Sequence, residues 1–227
     1  MKKLIVFTGA GMSAESGIPT FRGSDGLWEN HRIEDVATPE AWKKDPELVL
    51  EFYNQRRKRI LEAQPNEGHF QIAKWQSDFD VTVVTQNIDD LHERAGSKQV
   101  LHLHGEIRKA RSTFNPQLVY EIEDWSLNIG DKCEKGSQLR PHIVWFGEEV
   151  PMLQVAAEII EESDLFVVVG TSLQVYPAAG LIHHAHGASD KFFVDPAAHD
   201  LISKSGWTVV SKGAAEGLQE IDRVMLR

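Results

Sequence analysis

Six short, strongly apolar runs constrain the fold of this chain more than any other feature. They read LIVFTG, VTVVTQN, HIVWFGE, LFVVVGT, KFFVDP and WTVVSKG, in that order along the sequence. Several are almost continuously apolar, which is typical of strands buried on both faces of a parallel sheet. Helical patterns such as HFQIAKWQS and PMLQVAAEIIEES precede two of the runs, and AAEGLQEIDRVML reads as a closing helix. The alternation predicts an α/β fold with a doubly wound, mostly parallel sheet.

Two segments interrupt this alternation and predict a second, smaller lobe. Residues 29–65 read as helices with no strand between them, and residues 106–139 are polar, irregular and rich in turn formers. We expect these two insertions to pack together. The larger domain then comprises residues 1–28, 66–105 and 140–227.

Composition and charge narrow the function classes. The chain has 227 residues, with 24 Lys plus Arg against 34 Asp plus Glu, so its formal net charge is -10. This balance argues against nucleic-acid binding and favours basic protein or peptide partners, although an acidic surface that only maintains solubility explains it as well. No run is long enough to span a bilayer, no signal peptide is visible, and Cys133 is the only cysteine. We therefore expect a cytoplasmic protein without disulfides or a membrane segment.

Polar residues and glycines follow the apolar runs, at the points where the predicted strands end. These residues are Gly9, Gly11, Thr85, Gln86, Asn87, Gly170, Thr171, Ser172, Asp195 and Gly213. Because ligands of open α/β sheets bind at the carboxyl ends of the strands, we expect a ligand site at this edge.

The first of these strand ends begins like a dinucleotide-binding turn. Gly9-Ala10-Gly11, with Ala14 at the third glycine position, is similar to the G-x-G-x-x-G/A fingerprint, in which backbone N–H groups approach a pyrophosphate. A tight structural turn explains the same glycines equally well. In place of the second strand and acidic residue of an ordinary dinucleotide fold, a glycine-rich loop follows, SGIPTFRGSDG.

Five motifs, taken together and in order, resemble those of the sirtuins, a family of NAD-dependent protein lysine deacylases. The motifs are GAGMSAESGIPTFR (residues 9–22), TQNIDDLHERAG (85–96), LHLHG (101–105), RPHIVWFGE (140–148) and GTSLQVYPA (170–178). The resemblance implies a Rossmann-like domain that binds NAD, and removal of acyl groups from lysine side chains of proteins or peptides. Nicotinamide and O-acyl-ADP-ribose are the implied products. Mono-ADP-ribosyl transfer and a non-catalytic NAD- or ADP-ribose-binding module are the alternatives, and the glycine-rich loop disfavours hydride transfer.

The resemblance also implies which residues bind NAD. They are Gly9, Ala10, Gly11, Ala14, Glu15, Phe21, Arg22, Trp28, Gln86, Asn87, Ile88, Asp89, Gly170, Thr171, Ser172, Asp195 and Ala215. By resemblance, Phe21 and Arg22 belong to a mobile loop that closes over the cofactor, and Asn87 and Asp89 surround the nicotinamide. Asp195 stands where the family usually has asparagine, and its carboxylate favours NAD over NADP.

The motif LHLHG contains two histidines with different expected roles. A bare His-x-His pair is compatible with a metal site or with two structural histidines. The resemblance singles out His104 as the general base, and an unperturbed imidazole is largely neutral at pH 7. We assign His102 to structure.

Two groups of residues are expected to bind the acylated substrate. By resemblance, Val144, Trp145 and Phe146 form an exposed strand edge that pairs with the peptide, although a core strand fits the same residues. Tyr53 and Arg56 share one helix face, and the resemblance implies that they read the carboxylate of a succinyl or malonyl group in a pocket opened by Ala37. The alternative is that Arg56 belongs to the solvated run RRKR, and acetyl groups are expected to be weaker substrates.

Most sirtuins carry a structural zinc ion on two Cys-x-x-Cys pairs, and this chain departs from that pattern. A tetrahedral thiolate site needs four cysteines, whereas Cys133 is alone. Ser112 and Asn115 stand where the first pair would fall. We therefore expect no zinc ion and no other metal.

Overall fold

The computed structural model describes residues 1–20, 27–28, 31–198 and 206–225. The strands are β1 (Lys3–Thr8), β2 (Leu27–Trp28), β3 (His31–Arg32), β4 (Asp80–Thr85), β5 (Val100–His102), β6 (Gly105–Ser112), β7 (Val119–Glu121), β8 (Leu139–Ile143), β9 (Leu165–Val169), β10 (Asp190–Val194) and β11 (Thr208–Val210). The α-helices are α1 (Ile33–Val36), α2 (Pro39–Lys44), α3 (Pro46–Glu62), α4 (Glu67–Lys74), α5 (Leu91–Arg94), α6 (Leu153–Glu161) and α7 (Ala214–Met225). Short 3₁₀ helices span Ala10–Ser16, Trp75–Ser77 and Ala178–His184.

A six-stranded parallel sheet forms the larger part of the molecule. Its strand order is β11-β10-β9-β1-β4-β5, and every neighbouring pair is parallel. The chain starts in the middle of the sheet and extends it in both directions, as the predicted doubly wound, Rossmann-like fold requires. The predicted fold class is therefore confirmed.

Alternate residues of β1 show why the sheet needs helices on both faces. Leu4 and Val6 belong to one buried apolar cluster, which α4 and α7 complete, whereas Ile5 and Phe7 belong to a second cluster, which α6 completes. All four side chains are almost inaccessible to solvent. Successive strand residues point to opposite faces, so a strand that is apolar throughout is stable only between two helical layers.

A three-stranded antiparallel sheet, in the order β7-β6-β8, forms a separate small lobe. The prediction that HIVWFGE is a strand of the parallel sheet is wrong, because only its first two residues, His142 and Ile143, lie in a strand, and that strand is β8, which pairs with β6. The sixth parallel strand is β5, whose three-residue sequence VLH is too short to stand out as an apolar run. The chain leaves the parallel sheet at Gly105, which has a φ of +86° and where a Cβ would overlap the carbonyl oxygen of His142.

Helix α3 joins the helical insertion to this small sheet. It begins at Pro46, and Asp45 Oδ1 accepts a hydrogen bond from Leu48 N at 3.0 Å, as expected for a helix N-cap. In its centre, the side-chain amide of Asn54 donates to Leu127 O and accepts from Leu127 N. The division of the chain into the predicted domain ranges remains a prediction. Within the described residues, no helix is both long and apolar enough to cross a membrane.

Candidate active site

A cleft of about 1080 Å³ opens at the carboxyl edge of the parallel sheet, beside the small lobe. The predicted cofactor residues that line it are Gly9, Ala10, Gly11, Ala14, Glu15, Trp28, Gln86, Asn87, Ile88, Asp89, Gly170, Thr171, Ser172 and Asp195. The predicted catalytic and substrate residues that line it are Ala37, Tyr53, Arg56, His104, Val144, Trp145 and Phe146. Ala215 follows the lining residue Ala214, and its backbone nitrogen donates to Glu15 Oε1 at 3.1 Å. Phe21 and Arg22 lie outside the described residues.

The glycine turn after β1 packs directly against the turn after β9. Gly9 N donates to Val169 O at 3.1 Å, and Gly11 N donates to Gly170 O at 2.8 Å. A Cβ on Gly11 would lie 2.8 Å from Gly170 Cα, and a Cβ on Gly170, whose φ is +65°, would overlap Met12 N. The N–H groups of Gly9 and Gly11 therefore donate to the protein itself, and the approach of other backbone N–H groups of this turn to a pyrophosphate remains a prediction. The glycines allow two backbone turns to touch.

Polar side chains of the loop after β4 form part of the cleft wall. Asn87 Nδ2 donates to Ser13 Oγ at 3.1 Å, and Ser13 Oγ donates to Asp89 Oδ2 at 3.0 Å. Asp89 Oδ1 also accepts from Leu91 N. Burial raises the pKa of the Asp89 carboxyl, while the bond from Ser13 opposes this change. A carboxamide and a carboxylate are thus held side by side at the cleft surface.

His104 is fixed by one of its two ring nitrogens. Its Nδ1 lies 2.9 Å from Gln86 O, and because a carbonyl oxygen only accepts, Nδ1 carries the proton. In the neutral ring, Nε2 then carries the lone pair. Burial lowers the pKa of His104 and outweighs the opposing effect of the Gln86 carbonyl. The ring is therefore mainly neutral at pH 7 and able to accept a proton at Nε2.

The small-lobe side of the cleft contains a buried cation and a buried phenol. The Arg56 guanidinium lies 4.6 Å from the ring centroid of Trp28, and the residue is only 7% exposed. Tyr53 is fully buried, and its hydroxyl accepts from Trp145 Nε1 at 3.1 Å. Since the indole N–H can only donate, the Tyr53 hydroxyl proton remains free to be donated to a further acceptor. Ala37, with its small side chain, is buried next to this group.

The segment after β8 differs from the exposed strand edge that the sequence predicted. Val144 and Trp145 follow the end of the strand, Phe146 lies in a turn, and Trp145 is buried. Phe146 N donates to Ala37 O at 3.0 Å. The Phe146 side chain is 42% exposed and lies at the cleft. Beyond the end of the strand, Trp145 turns inward and donates to the Tyr53 hydroxyl.

Further lining residues are not among those assigned to the cofactor or the substrate, although Gly213 was already noted at a strand end. They are Ser13, Ile18, Thr20, Ile33, Ile143, Gly147, Glu148, Val150, Gln174, Val175, Tyr176, Pro177, Val194, Pro196, Gly213 and Ala214. Glu148 and the residues from Gln174 to Pro177 belong to motifs quoted above, so the motif boundaries already contained them. Ile33 follows the short β2–β3 hairpin, and no local pattern indicates that it faces the cleft.

The region of the expected zinc module contains a hydrogen-bonded turn. Ser112 Oγ accepts from Phe114 N at 3.1 Å and from Asn115 N at 3.3 Å. Cys133 is buried. No cluster of three histidine, cysteine, aspartate or glutamate side chains able to hold a metal ion occurs in the part of the chain that the structure describes.

Similarity to known proteins extends along the whole chain. A family profile described as Sir2 family matches residues 9–177. A curated relative from Bacteroides thetaiotaomicron, named NAD-dependent protein deacylase, is 49% identical over 231 aligned residues, which cover 100% of this chain and 99% of the relative. A crystal structure of a Sir2 homologue in complex with NAD has a TM-score of 0.86 at 40% identity, and covers 99% of this chain and 90% of that one. A structure of Sir2 with a p53 peptide and NAD+ has a TM-score of 0.79 at 28% identity, with 99% and 94% coverage.

Proposed function

Because this chain belongs to the Sir2 family, we propose that it is an NAD-dependent protein lysine deacylase. The observation that carries the proposal is the position of His104 in the same cleft as Gln86, Asn87 and Asp89. The relative from Bacteroides thetaiotaomicron is named for this activity, and solved relatives contain NAD or NAD together with a peptide.

The chemistry of the cleft fits NAD. The neighbouring amide of Asn87 and carboxylate of Asp89 match a nicotinamide carboxamide, which has both donors and an acceptor. Asp195 follows β10, three strands away from β4 along the sheet edge, and also lines the cleft. A carboxylate there accepts hydrogen bonds from ribose hydroxyls and repels a phosphorylated ribose, so we propose NAD rather than NADP.

In the proposed reaction, the residues of this chain orient the reactants and move one proton. Bound in the cleft, NAD supplies an anomeric carbon from which nicotinamide is displaced by the acyl oxygen of the substrate. His104 then accepts a proton at Nε2 from a ribose hydroxyl, because its Nδ1 proton is committed to Gln86 O. The side chains of Val144, Trp145 and Phe146 wall the path of the acylated lysine and exclude water from it.

Nicotinamide release that requires an acylated peptide tests this proposal. The parent protein should release nicotinamide and deacylated peptide in equal amounts, without any hydride transfer from or to NAD. His104→Ala should lower turnover by roughly 10²- to 10⁴-fold, the usual contribution of a general base, while NAD affinity measured by calorimetry changes little. His186→Ala, on an exposed histidine, is the matched control. Unchanged turnover in the His104 variant would remove this residue from the mechanism.

We further propose that short acidic acyl groups, succinyl and malonyl, are the preferred substrates. The support is the buried Arg56 guanidinium, which lines the same cleft as the Tyr53 hydroxyl, whose proton is available for donation. Arginine presents a planar pair of donors to a carboxylate, and the bond is stronger where water is excluded. Ala37 leaves room for the longer acyl chain.

A panel of one peptide with four lysine modifications tests the acyl preference. The peptide carries acetyl-, malonyl-, succinyl- or glutaryl-lysine at the same position, and kcat/KM is measured for each with saturating NAD. We expect succinyl and malonyl peptides to exceed the acetyl peptide by about tenfold or more, the value of one charge-assisted hydrogen bond. Equal rates on the acetyl and succinyl peptides would refute the preference but leave the deacylase proposal standing.

A further inference from the structure

Two histidines at the end of β5 hold consecutive carbonyl groups of the loop that lines the cleft. His104 Nδ1 lies 2.9 Å from Gln86 O, and His102 Nδ1 lies 2.9 Å from Asn87 O. His102 is the last residue of β5 and His104 lies just beyond it, and the two contacts show that both side chains point towards the loop after β4. The backbone of the loop is thus held at two successive peptide groups.

The two rings differ in what their second nitrogen contacts. His102 Nε2 lies 2.8 Å from Glu93 Oε1, on α5, whereas His104 lines the open cleft. Both neighbours of His102 are acceptors, since a carbonyl and an ionised carboxylate have no proton to donate. Two hydrogen bonds to two acceptors require a proton on each ring nitrogen. The geometry therefore makes the His102 side chain a cationic imidazolium.

The electrostatic surroundings agree with this charge state. Burial alone would lower the pKa of His102, but the hydrogen bond and the charge of Glu93 outweigh it and raise the pKa above its ordinary value of 6.5. Burial alone would likewise raise the pKa of Glu93, but the bond from His102 outweighs it and lowers that pKa. Each partner thus stabilises the charged form of the other.

A separate pocket of about 300 Å³ lies behind the loop and gives solvent access to this ion pair. Ile88 and Asp89 line both this back pocket and the cleft, so the loop is the wall between them. His102 and Glu93 line the back pocket and are absent from the cleft lining. Protons can therefore reach His102 while the cleft is filled.

The other charged groups of the back pocket are paired among themselves. Arg108 lies 3.4 Å from Asp90 on the loop, and Lys109 lies 2.8 Å from Glu106 on β6 and 3.7 Å from Glu121 on β7. The Asp89 carboxylate accepts from Ser13 and from Leu91 N.

His92, on α5, also faces His102, and the charge of His102 contributes to the lowering of its pKa. Glu106 acts on His102 through space and stabilises its charge. Glu93 is nevertheless the group that contacts the ring directly, so it dominates the charge state of His102.

We propose that His102 is a positioning residue, whose doubly protonated ring ties the loop from Gln86 to Asp89 to helix α5 and so holds the NAD-binding wall of the cleft in place. The effect of His102 on NAD binding rests on the proposed function, whereas the charge state of the His102 ring does not. When the ring loses a proton, it can hold only one of its two acceptors. NAD affinity should therefore fall as the pH rises through the pKa of His102.

The charge state is tested directly on the parent protein by nuclear magnetic resonance. Long-range ¹H–¹⁵N spectra of the histidine rings, with His102→Gln to assign the signals, should show both His102 nitrogens protonated at pH 7. The backbone amide signals of Asn87 and Ile88 should shift with the same midpoint as the ring. An unprotonated ring nitrogen at pH 7, or amide signals insensitive to the ring titration, would overturn the inference.

Variants of the ion pair test the link to the cofactor. In Glu93→Gln the ring loses its ionised partner, so the midpoints of the ring titration and of the decline in NAD affinity should both move down by about one pH unit or more. Glu121→Gln removes one negative charge from the same pocket without touching His102, and should shift both midpoints far less. His102→Gln should weaken NAD binding roughly tenfold or more at pH 7, the effect of one lost charge-assisted bond.

The two proposals fail in different ways. An identical pH dependence of NAD affinity in the parent and in Glu93→Gln would refute the positioning role. A parent protein that binds NAD but releases no nicotinamide with any acylated peptide would refute the proposed function. The ring titration and the binding measurements would then still decide the role of His102.

Discussion

Four consecutive cations on α3, from Arg56 to Arg59, face three different environments. Arg56 is buried at the cleft, against the ring of Trp28. Arg57 is fully buried and donates to backbone carbonyls of the small lobe, and burial lowers its pKa to about 10. Lys58 and Arg59 are exposed. Each step along a helix turns the side chain by about 100°, so a run of like charges does not share one role.

Replacement of Arg56 by methionine should separate acidic from neutral acyl substrates. The change removes the guanidinium but retains a flexible apolar chain. The value of kcat/KM for the succinyl peptide should therefore fall roughly 30- to 1000-fold, which corresponds to a loss of about 2–4 kcal/mol of transition-state stabilisation. The value for the acetyl peptide should change by less than about threefold, since it offers no carboxylate to the guanidinium.

Arg59→Met, an identical replacement at an exposed position of the same helix, should leave both substrates unaffected. Equal losses on succinyl and acetyl peptides in the Arg56 variant would mean that Arg56 supports the cleft but does not read a carboxylate.

The turn after β8 is held by one carboxylate that joins three partners. Glu148 contacts Arg140 at 2.7 Å and Arg111 at 3.1 Å, and it accepts a hydrogen bond from Trp145 N at 2.8 Å. The Arg140 guanidinium also lies 3.2 Å from the centroid of the Trp145 ring. Burial alone would raise the pKa of Glu148, but the bonds from Arg140 and Trp145 outweigh it and lower that pKa. The small antiparallel sheet thus fixes the side of the cleft proposed to receive the substrate.

Replacement of Glu148 by glutamine should weaken binding of the acylated peptide selectively. Loss of the charge loosens the turn that carries Val144 to Phe146, so KM for the peptide should rise by about tenfold, while KM for NAD changes by less than about threefold. Steady-state kinetics with each substrate varied in turn measures the two values. Glu149→Gln, at the exposed neighbouring position, is the control, and a parallel rise of both KM values would show that the turn is not specific to the peptide.

A pair of fully buried histidines connects the stability of the entire molecule to pH. His69 on α4 and His92 on α5 have ring centroids 4.8 Å apart, and His92 Nε2 lies 3.1 Å from Thr8 Oγ1 at the end of β1. Burial lowers the pKa of His69 to about 4, and it lowers the pKa of His92 well below 6.5. The folded protein therefore keeps both rings neutral where the unfolded chain binds protons.

The free energy of unfolding should consequently decrease as the pH falls from 6.5 towards 4. In this range the unfolded state binds more protons than the folded state, so acid favours unfolding, and His69 alone accounts for about 3 kcal/mol at pH 4. Urea denaturation at several pH values measures the slope. His69→Gln should flatten it, because the glutamine side chain binds no proton in this range. The glutamine can still accept from Asn66 N as His69 Nδ1 does, so the start of α4 keeps its cap.

His186→Gln, at an exposed site, should leave the slope unchanged. A slope that stays the same in the His69 variant as well would assign the acid sensitivity to other groups.

Much of the cleft was predictable because its residues follow strands in the sequence. Gln86 to Asp89 and Gly170 to Ser172 come directly after apolar runs, and parallel strands bring their carboxyl ends to one edge. The role of the Gly9 and Gly11 amides was not predictable, because both donate to the end of β9, more than 150 residues further along the chain. The wrong assignment of HIVWFGE has a related cause. An apolar run shows that a strand is buried, but not in which sheet it pairs.

The sequence by itself determined five of the six parallel strands, the main helices around them and the polar residues that end the strands, but not the short strands β3 and β5 or the strands β6 and β7 within the segment expected to be irregular. These features follow from side-chain periodicity and backbone sterics, which act over a few neighbouring residues. The tertiary structure alone decided that β5 completes the parallel sheet, that Arg56 faces the cleft and that His102 lies between two acceptors. Those outcomes depend on contacts between segments that are distant in sequence, or on which face of a helix is covered by neighbouring elements. Burial and hydrogen-bond satisfaction therefore determine them only when the whole chain is packed.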